Sequence, residues 1–237
     1  MQQPELLDNI THKKLRIITS RGVAWGDGHM SCIAVPDEFR KLQAHYPIVF
    51  QKNGEGALQP VAMLGLRDGQ NLFLKGDRWD AHYIPLAAQH SPFMIGHSGG
   101  DLKMLIDMAS PRISQGAQGE AVFLPQGGTT EFVEHANSVL ATLHAGLLAT
   151  PDFLSALAAH DLLEPFVLEV EHPDGSMGRL VGYYTVHEER FSALSASTIG
   201  VLHEAGFLQP IFMAMASMSN FHDLIVRNNA IEALGHA

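Results

Sequence analysis

Along the first half of the chain, apolar residues fall into short runs separated by turn residues, the signature of strands. Leu15-Arg16-Ile17-Ile18, Met30 to Val35 and Tyr46-Pro47-Ile48-Val49-Phe50 read as strands. Between the second and third, Pro36 to Leu42 reads as one or two helical turns with Pro near the start. Val61 to Leu66 and Asn71 to Leu74 flank Arg67-Asp68-Gly69-Gln70, and Asp-Gly between apolar runs predicts a hairpin. Lys103 to Ile106 and Ala121 to Leu124 are further strands, with glycine-rich loops around Gly96 to Gly100 and Gly127-Gly128.

The second half changes period. From Glu131 to Ala149, Phe132, Ala136, Val139, Leu140, Leu143 and Leu147 recur at three- and four-residue steps, which predicts a helix. Thr150-Pro151-Asp152 then reads as the cap and first turn of a new helix running to about Leu163. Phe166 to Glu171 and Arg179 to Val186 flank Pro173-Asp174-Gly175, a second hairpin. His187 to Ala205 reads as one helix ending on Gly206. Phe207 to about Val226 is apolar on nearly every face and predicts a buried helix; the same apolar excess would suit a homodimer interface. The expected fold class is α+β, with a strand-rich N-terminal half, a helix-rich C-terminal half packed on the sheet, and one domain over residues 1–237.

Composition narrows the partners. Only 17% of the 237 residues are charged and the formal net charge is −10, which disfavours nucleic acid and anionic membrane surfaces. The most apolar stretch, Phe207 to Met218, is too short for a transmembrane span, and the N-terminus lacks the basic and apolar regions of a secretory signal. The single cysteine, Cys32, forms no intrachain disulfide and suits a small buried position in a strand, consistent with a reducing, cytoplasmic setting.

Fourteen histidines invite a metal, but no His-Glu-x-x-His and no Cys/His cluster occurs, so neither a metal nor a cofactor is expected. His172-Pro173-Asp174 and His187-Glu188-Glu189 are explained by a turn and a polar helix start. No Gly-x-Ser-x-Gly is present, and no catalytic residue is assigned. Two segments stand out. In Arg21 to His29, three glycines surround Trp25, Asp27 and His29, which suits either a wide turn carrying a core Trp or a backbone that approaches a ligand. In Arg78 to Phe93, Trp79, His82, Tyr83, His90 and Phe93 are punctuated by prolines, which suits either an aromatic corner sealing the core or a recognition surface.

Several segments in order resemble the SapC family of bacterial proteins: Tyr46-Pro47-Ile48-Val49-Phe50, Gly65-Leu66 with Asn71-Leu72-Phe73, Trp79 with Tyr83 and Pro85, and Pro92-Phe93. Gly119-Glu120, Val122-Phe123, Phe153 with Leu157, Leu162-Leu163, Ser217-Met218 with Asn220, and Leu224-Ile225 continue the resemblance. At Gln89-His90 the family pattern favours an arginine, whose role is absent here or has passed to His90. The resemblance implies a surface-layer association or an accessory role, and it carries over no catalytic residue. The leading expectation is a non-enzymatic binding protein that presents Trp79, Tyr83 and Phe93, with Trp25, Asp27, His29, His82 and His90 as further contacts, to a protein, peptide or small molecule. The alternatives are an enzyme using His and Asp of the Trp25–His29 loop as acid and base, and a surface-layer structural protein exported by a non-classical route.

Overall fold

The computed structural model describes residues 2–98, 101–171 and 175–235. Its strands are β1 (Pro4–Leu6), β2 (Arg16–Ile17), β3 (Ser31–Ile33), β4 (Ile48–Lys52), β5 (Leu58–Met63), β6 (Leu74–Lys75), β7 (Arg78–Trp79), β8 (Phe93–Ser98), β9 (Asp101–Asp107), β10 (Glu120–Ala121), β11 (Leu163–Glu171) and β12 (Met177–Val186). Its helices are α1 (Phe39–Leu42), α2 (Leu86–Gln89), α3 (Glu131–Ala159), α4 (Glu188–Ser192), α5 (Ala196–Glu204), α6 (Leu208–Ser217) and α7 (Asn220–Gly235). The fold is α+β, with most sheet strands in the first half and most helices in the second. The chain divides into two compact units, Met1–Gly28 with Phe73–Ala145, and His29–Leu72 with Gly146–Ala237.

The first unit is built on an antiparallel sheet in the order β1-β9-β8, with Phe93 opposite Ile106 and Leu6 opposite Leu105. Two small antiparallel pairs, β10 with β2 and β6 with β7, complete its strands. The first part of α3 covers this core. Val133, Ala136 and Leu140 recur at helical spacing and bury themselves against Ile17, Phe93, Ile106 and Val122. Burial of side chains of this size supplies most of the stabilisation, about 1.5–3 kcal/mol each before entropy is counted.

The second unit has a five-stranded antiparallel sheet in the order β11-β12-β4-β5-β3. Phe153 anchors its helical side, with ring centroids 6.0 Å from Phe39, 6.5 Å from Phe50 and 5.6 Å from Phe207. The last part of α3 approaches Val35 so closely that a Cβ on Gly146 would lie 2.7 Å from the Val35 side chain. The buried hydroxyl of Ser217 accepts the Ile48 N–H at 2.9 Å and donates to Ala214 O at 2.6 Å, tying the end of α6 to the start of β4. A polar atom at such a position is stable only because both roles of the hydroxyl are filled.

Several sequence expectations differ from what is found. First, Asp68-Gly69 makes no hairpin. Both edges of β5 are taken by β3 and β4, so no edge is left for a returning strand. The loop instead closes on itself, with Leu72 N–H donating to Leu64 O at 2.8 Å and Leu66 N–H to Gln70 Oε1 at 2.9 Å. Second, Thr150-Pro151 lies inside α3 and starts no new helix. Thr150 Oγ1 donates back to Gly146 O at 2.7 Å, a helix-interior habit of threonine. Pro151 has no N–H to donate to Leu147 O, so the helix runs through this point with one bond fewer.

Third, the segment from His187 to Ala205 is two helices. Ser195, in an extended conformation, accepts the Thr198 N–H at 3.2 Å and restarts the helix as its cap. Fourth, the apolar segment after Phe207 is also split, near Met218, and is buried on one face only. Ile211, Ala214, Phe221 and Leu224 are inside, while Phe212 and Val226 are exposed and Met215 is half-buried. The β11–β12 hairpin, the Pro36 turn, the strand at Cys32 and the Gly206 cap are as expected. The loop expected from Gly96 begins later, because Gly96 to Ser98 continue β8 and pair with Lys103 to Asp101 of β9. Residues 172–174, the His172-Pro173-Asp174 turn, lie outside the described residues, as do Gly99 and Gly100.

Among the described residues one straight helix, α3, is long and apolar enough to cross a membrane by length and composition. Its Val133 and Leu140 are buried in the first unit, and its Phe153 and Leu157 in the second.

Candidate functional site

The glycine-rich segment after Arg21 folds as a tight turn. Trp25 N–H donates to Gly22 O at 3.0 Å and Gly26 N–H to Val23 O at 3.1 Å. Gly26 takes φ +87, which an L side chain resists. The turn delivers Asp27 into the first unit. There the Asp27 carboxylate receives the Gly22 N–H at 2.9 Å, Arg21 Nη1 at 3.2 Å, and Arg112 Nη2 at 2.7 Å to each oxygen. The Arg112 and Asp27 side chains are only 3% and 6% exposed. Arg112 Nη1 adds bonds to Ile18 O at 3.0 Å and Ser20 O at 2.9 Å.

Arg21 carries this cluster outward. Its Nη1 donates to Ala88 O at 2.7 Å, and its guanidinium carbon lies 5.9 Å from the centroid of the Trp79 ring, a cation–π distance. Burial lowers the Arg21 pKa from its ordinary value, Asp27 opposes the shift and Arg112 adds to it. Trp79 itself closes the β6–β7 hairpin, paired with Leu74 across a turn in which Gly76 takes φ +65. Its indole stacks on buried Phe73 at 6.5 Å and 13°. Backbone bonds from Asp80 to Phe73 O (2.7 Å) and from Arg21 to Asp77 O (2.8 Å) fix the hairpin at both ends.

The expected site residues therefore separate. Trp25 and Asp27 share one turn, and Arg21 links Asp27 to Trp79. His82 is exposed and Tyr83 half-buried on the segment that follows Trp79. His90 Nδ1 donates to Phe93 O at 2.7 Å, a local bond that closes the end of α2. Phe93 is a core residue, 1% exposed, with its ring 5.8 Å from Phe132. His29 is exposed and belongs to the second unit. Sequence reasoning missed Arg112, which organises the cluster. Its only signal was an arginine between Pro111 and Ile113 in a chain poor in charge.

Among the described residues no group of three or more His, Cys, Asp or Glu side chains is placed to hold a metal ion. Cys32 lies in β3, and burial, followed by the Glu38 carboxylate, pushes its thiol up, so the nucleophilic thiolate is disfavoured.

The model of one protein family, SapC, matches residues 7–224 of the chain and so covers both units. The chain belongs to the SapC family. No curated protein and no solved structure matches it. The family match takes in the Asp27 turn, the Trp79 hairpin and Arg112, so the whole cluster lies within the SapC region of the chain.

Proposed function

We propose that this SapC-family chain is a non-enzymatic binding or accessory protein, and that the corner formed by Trp79 and Tyr83 contacts its partner. The observation that carries the reading is the support beneath Trp79. A half-buried indole is stacked on Phe73 and flanked by Arg21, and Arg21 is held by Asp27 and Ala88 O. A rigid amphipathic ring costs little entropy to present and is the residue type that most often anchors interfaces. Acid–base chemistry at Asp27 is poorly supported, because both carboxylate oxygens are engaged by guanidinium and backbone donors in a buried setting.

The test is Trp79→Ala and Tyr83→Ala, each unfolded in urea and each used to capture partners from lysate of the cells that make the protein, beside the unaltered chain. Both variants should remain folded and lose a partner that the unaltered chain retains through washing and that binds again after purification. If the variants keep every purified partner, or if they unfold as though a core ring had been removed, the corner is a structural plug and the reading is wrong.

A further inference from the structure

The turn between β1 and β2, in the first unit, buries a histidine between two acids. His12 is 3% exposed, although Thr11 and Lys13 on either side of it are exposed. Asp8 shapes the turn, because its Oδ1 accepts the Ile10 and Thr11 N–H groups at 2.8 Å each. Asp8 Oδ2 lies 3.5 Å from His12 Nδ1, and Glu5 Oε2 of β1 lies 3.4 Å from His12 Nε2. Nδ1 accepts the Asp8 N–H at 3.3 Å, so the neutral ring carries its proton on Nε2. That Nε2 is buried and makes no hydrogen bond with the protein. The strand beside it, β1, is three residues long and lies at the edge of its sheet. Bonds from Leu7 N–H to Met104 O (3.1 Å) and from Met108 N–H to Gln3 O (2.9 Å) hold its two ends to β9.

We propose that His12 is a proton-operated clasp that fastens β1 to the edge of β9. When the ring takes up a proton, Nδ1 ceases to accept and becomes a donor. It then releases the Asp8 N–H and turns to Asp8 Oδ2, while the Nε2 N–H turns to Glu5 Oε2. Two charge-assisted bonds bridge the turn and the strand, in place of one long bond within the turn. Little has to move, since both carboxylate oxygens already stand within 3.5 Å of the ring. Among the described residues Glu5 and Asp8 are the acids within ion-pair distance, and the neighbouring cations in the chain, Lys13 and Lys14, are exposed. β9 sets apolar Ile106 opposite Glu5, and the loop that Asn9 grips at Gly127 O runs Pro125-Gln126-Gly127-Gly128 without a charge. The Thr11 and Ile10 N–H groups hold the Asp8 carboxyl below its ordinary value of 3.8, so it stays ionised where histidine takes up a proton. The clasp therefore closes in mild acid and opens towards alkaline pH, where a loosened β1 bares the β9 edge.

The experiment follows the full chain, labelled with nitrogen-15, by NMR from about pH 8 to about pH 5.5, the range in which histidine changes charge. At the alkaline end the His12 ring should be the Nε2–H tautomer. On acidification, once intrinsic exchange is corrected for, the Leu7 and Met108 amides should gain protection by about threefold or more. The Asp8 amide, which loses its acceptor, should change in the opposite direction. The Ile18 amide, bonded to Arg112 O elsewhere in the unit, should not respond. His12→Gln should abolish the pH dependence at Leu7 and Met108. Glu5→Gln, on an exposed residue and so without effect on folding, should reduce it and leave the ring tautomer unchanged. The proposal is overturned if the neutral ring carries its proton on Nδ1, or if Leu7 and Met108 fail to gain protection in acid. It is equally overturned if Ile18 gains by the same factor, or if either folded variant keeps the full response.

Discussion

Arg112 grips Asp27 through a single nitrogen, Nη2, which lies 2.7 Å from both carboxylate oxygens. The contact joins residues 85 positions apart and is almost closed to solvent. Such a pair contributes little net stability over an apolar replacement, but its disruption is costly because the surviving charge stays buried. Asp27→Ala leaves two guanidinium groups, Arg112 and Arg21, facing each other without their shared carboxylate. The expected loss is about 3–5 kcal/mol, measured as the shift in urea unfolding. A loss within experimental error of zero would mean that water replaces the carboxylate and that the cluster is not a structural clamp.

Phe153 provides a second test, in the other unit. It is fully buried and contacts three aromatic rings, so its removal opens a cavity among them. Phe153→Ala should destabilise by about 3–5 kcal/mol. A soluble variant with an unchanged unfolding midpoint would contradict its central place in that core.

Pro151 offers a test with the opposite sign. It sits within a continuous helix, where it forfeits the bond to Leu147 O. Pro151→Ala should therefore raise stability, by about 1–3 kcal/mol. A fall would show that the proline begins a separate helix, as the sequence pattern suggests.

Alkaline pH should weaken the second unit. Burial pushes the Tyr183 phenol up from its ordinary value of 10.0, and burial together with Glu38 pushes the Cys32 thiol up from 9.0. Both groups hold their proton more tightly when folded. Their contribution is complete below pH 9 and is lost as pH rises past 9 and 10, where the unfolded chain ionises first. Urea midpoints at pH 8 and pH 10.5 should fall with pH, and Cys32→Ala should reduce the slope. A midpoint that is flat over this range would show that neither group is protected by the fold.

The elements that depend on local chemistry were legible in the sequence. The Pro36 turn, the Gly206 cap and the hairpin between β11 and β12 follow from residues within a few positions of one another. The failures have long-range or competing causes. Asp68-Gly69 has the right turn chemistry, but the strand before it had both edges occupied by β3 and β4, segments far away in the chain. Thr150-Pro151 has the right capping chemistry, yet packing on both sides of it, through Val139 and Leu143 before and Phe153 and Leu157 after, keeps the helix running. Of the candidate site, the unusual density of Trp25, Asp27 and Trp79 was visible, and their connection was not. That connection runs through Arg21 and Arg112, and only the folded chain brings Arg112 to Asp27.

The chain order of the two units has a consequence for synthesis. Residues of the first unit are complete once Ala145 has been made, whereas the second unit then possesses only His29–Leu72. At that moment β3, β5 and β4 can pair, but the β4 edge that will receive Tyr183 and Tyr184 of β12 is still open. An open apolar edge is a template for pairing with another chain. The β4 edge at Phe50 and Gln51 therefore has no partner until the C-terminal third has been made. A message truncated after Ala145 should yield an aggregating fragment, because it carries His29–Leu72 without the rest of the second unit.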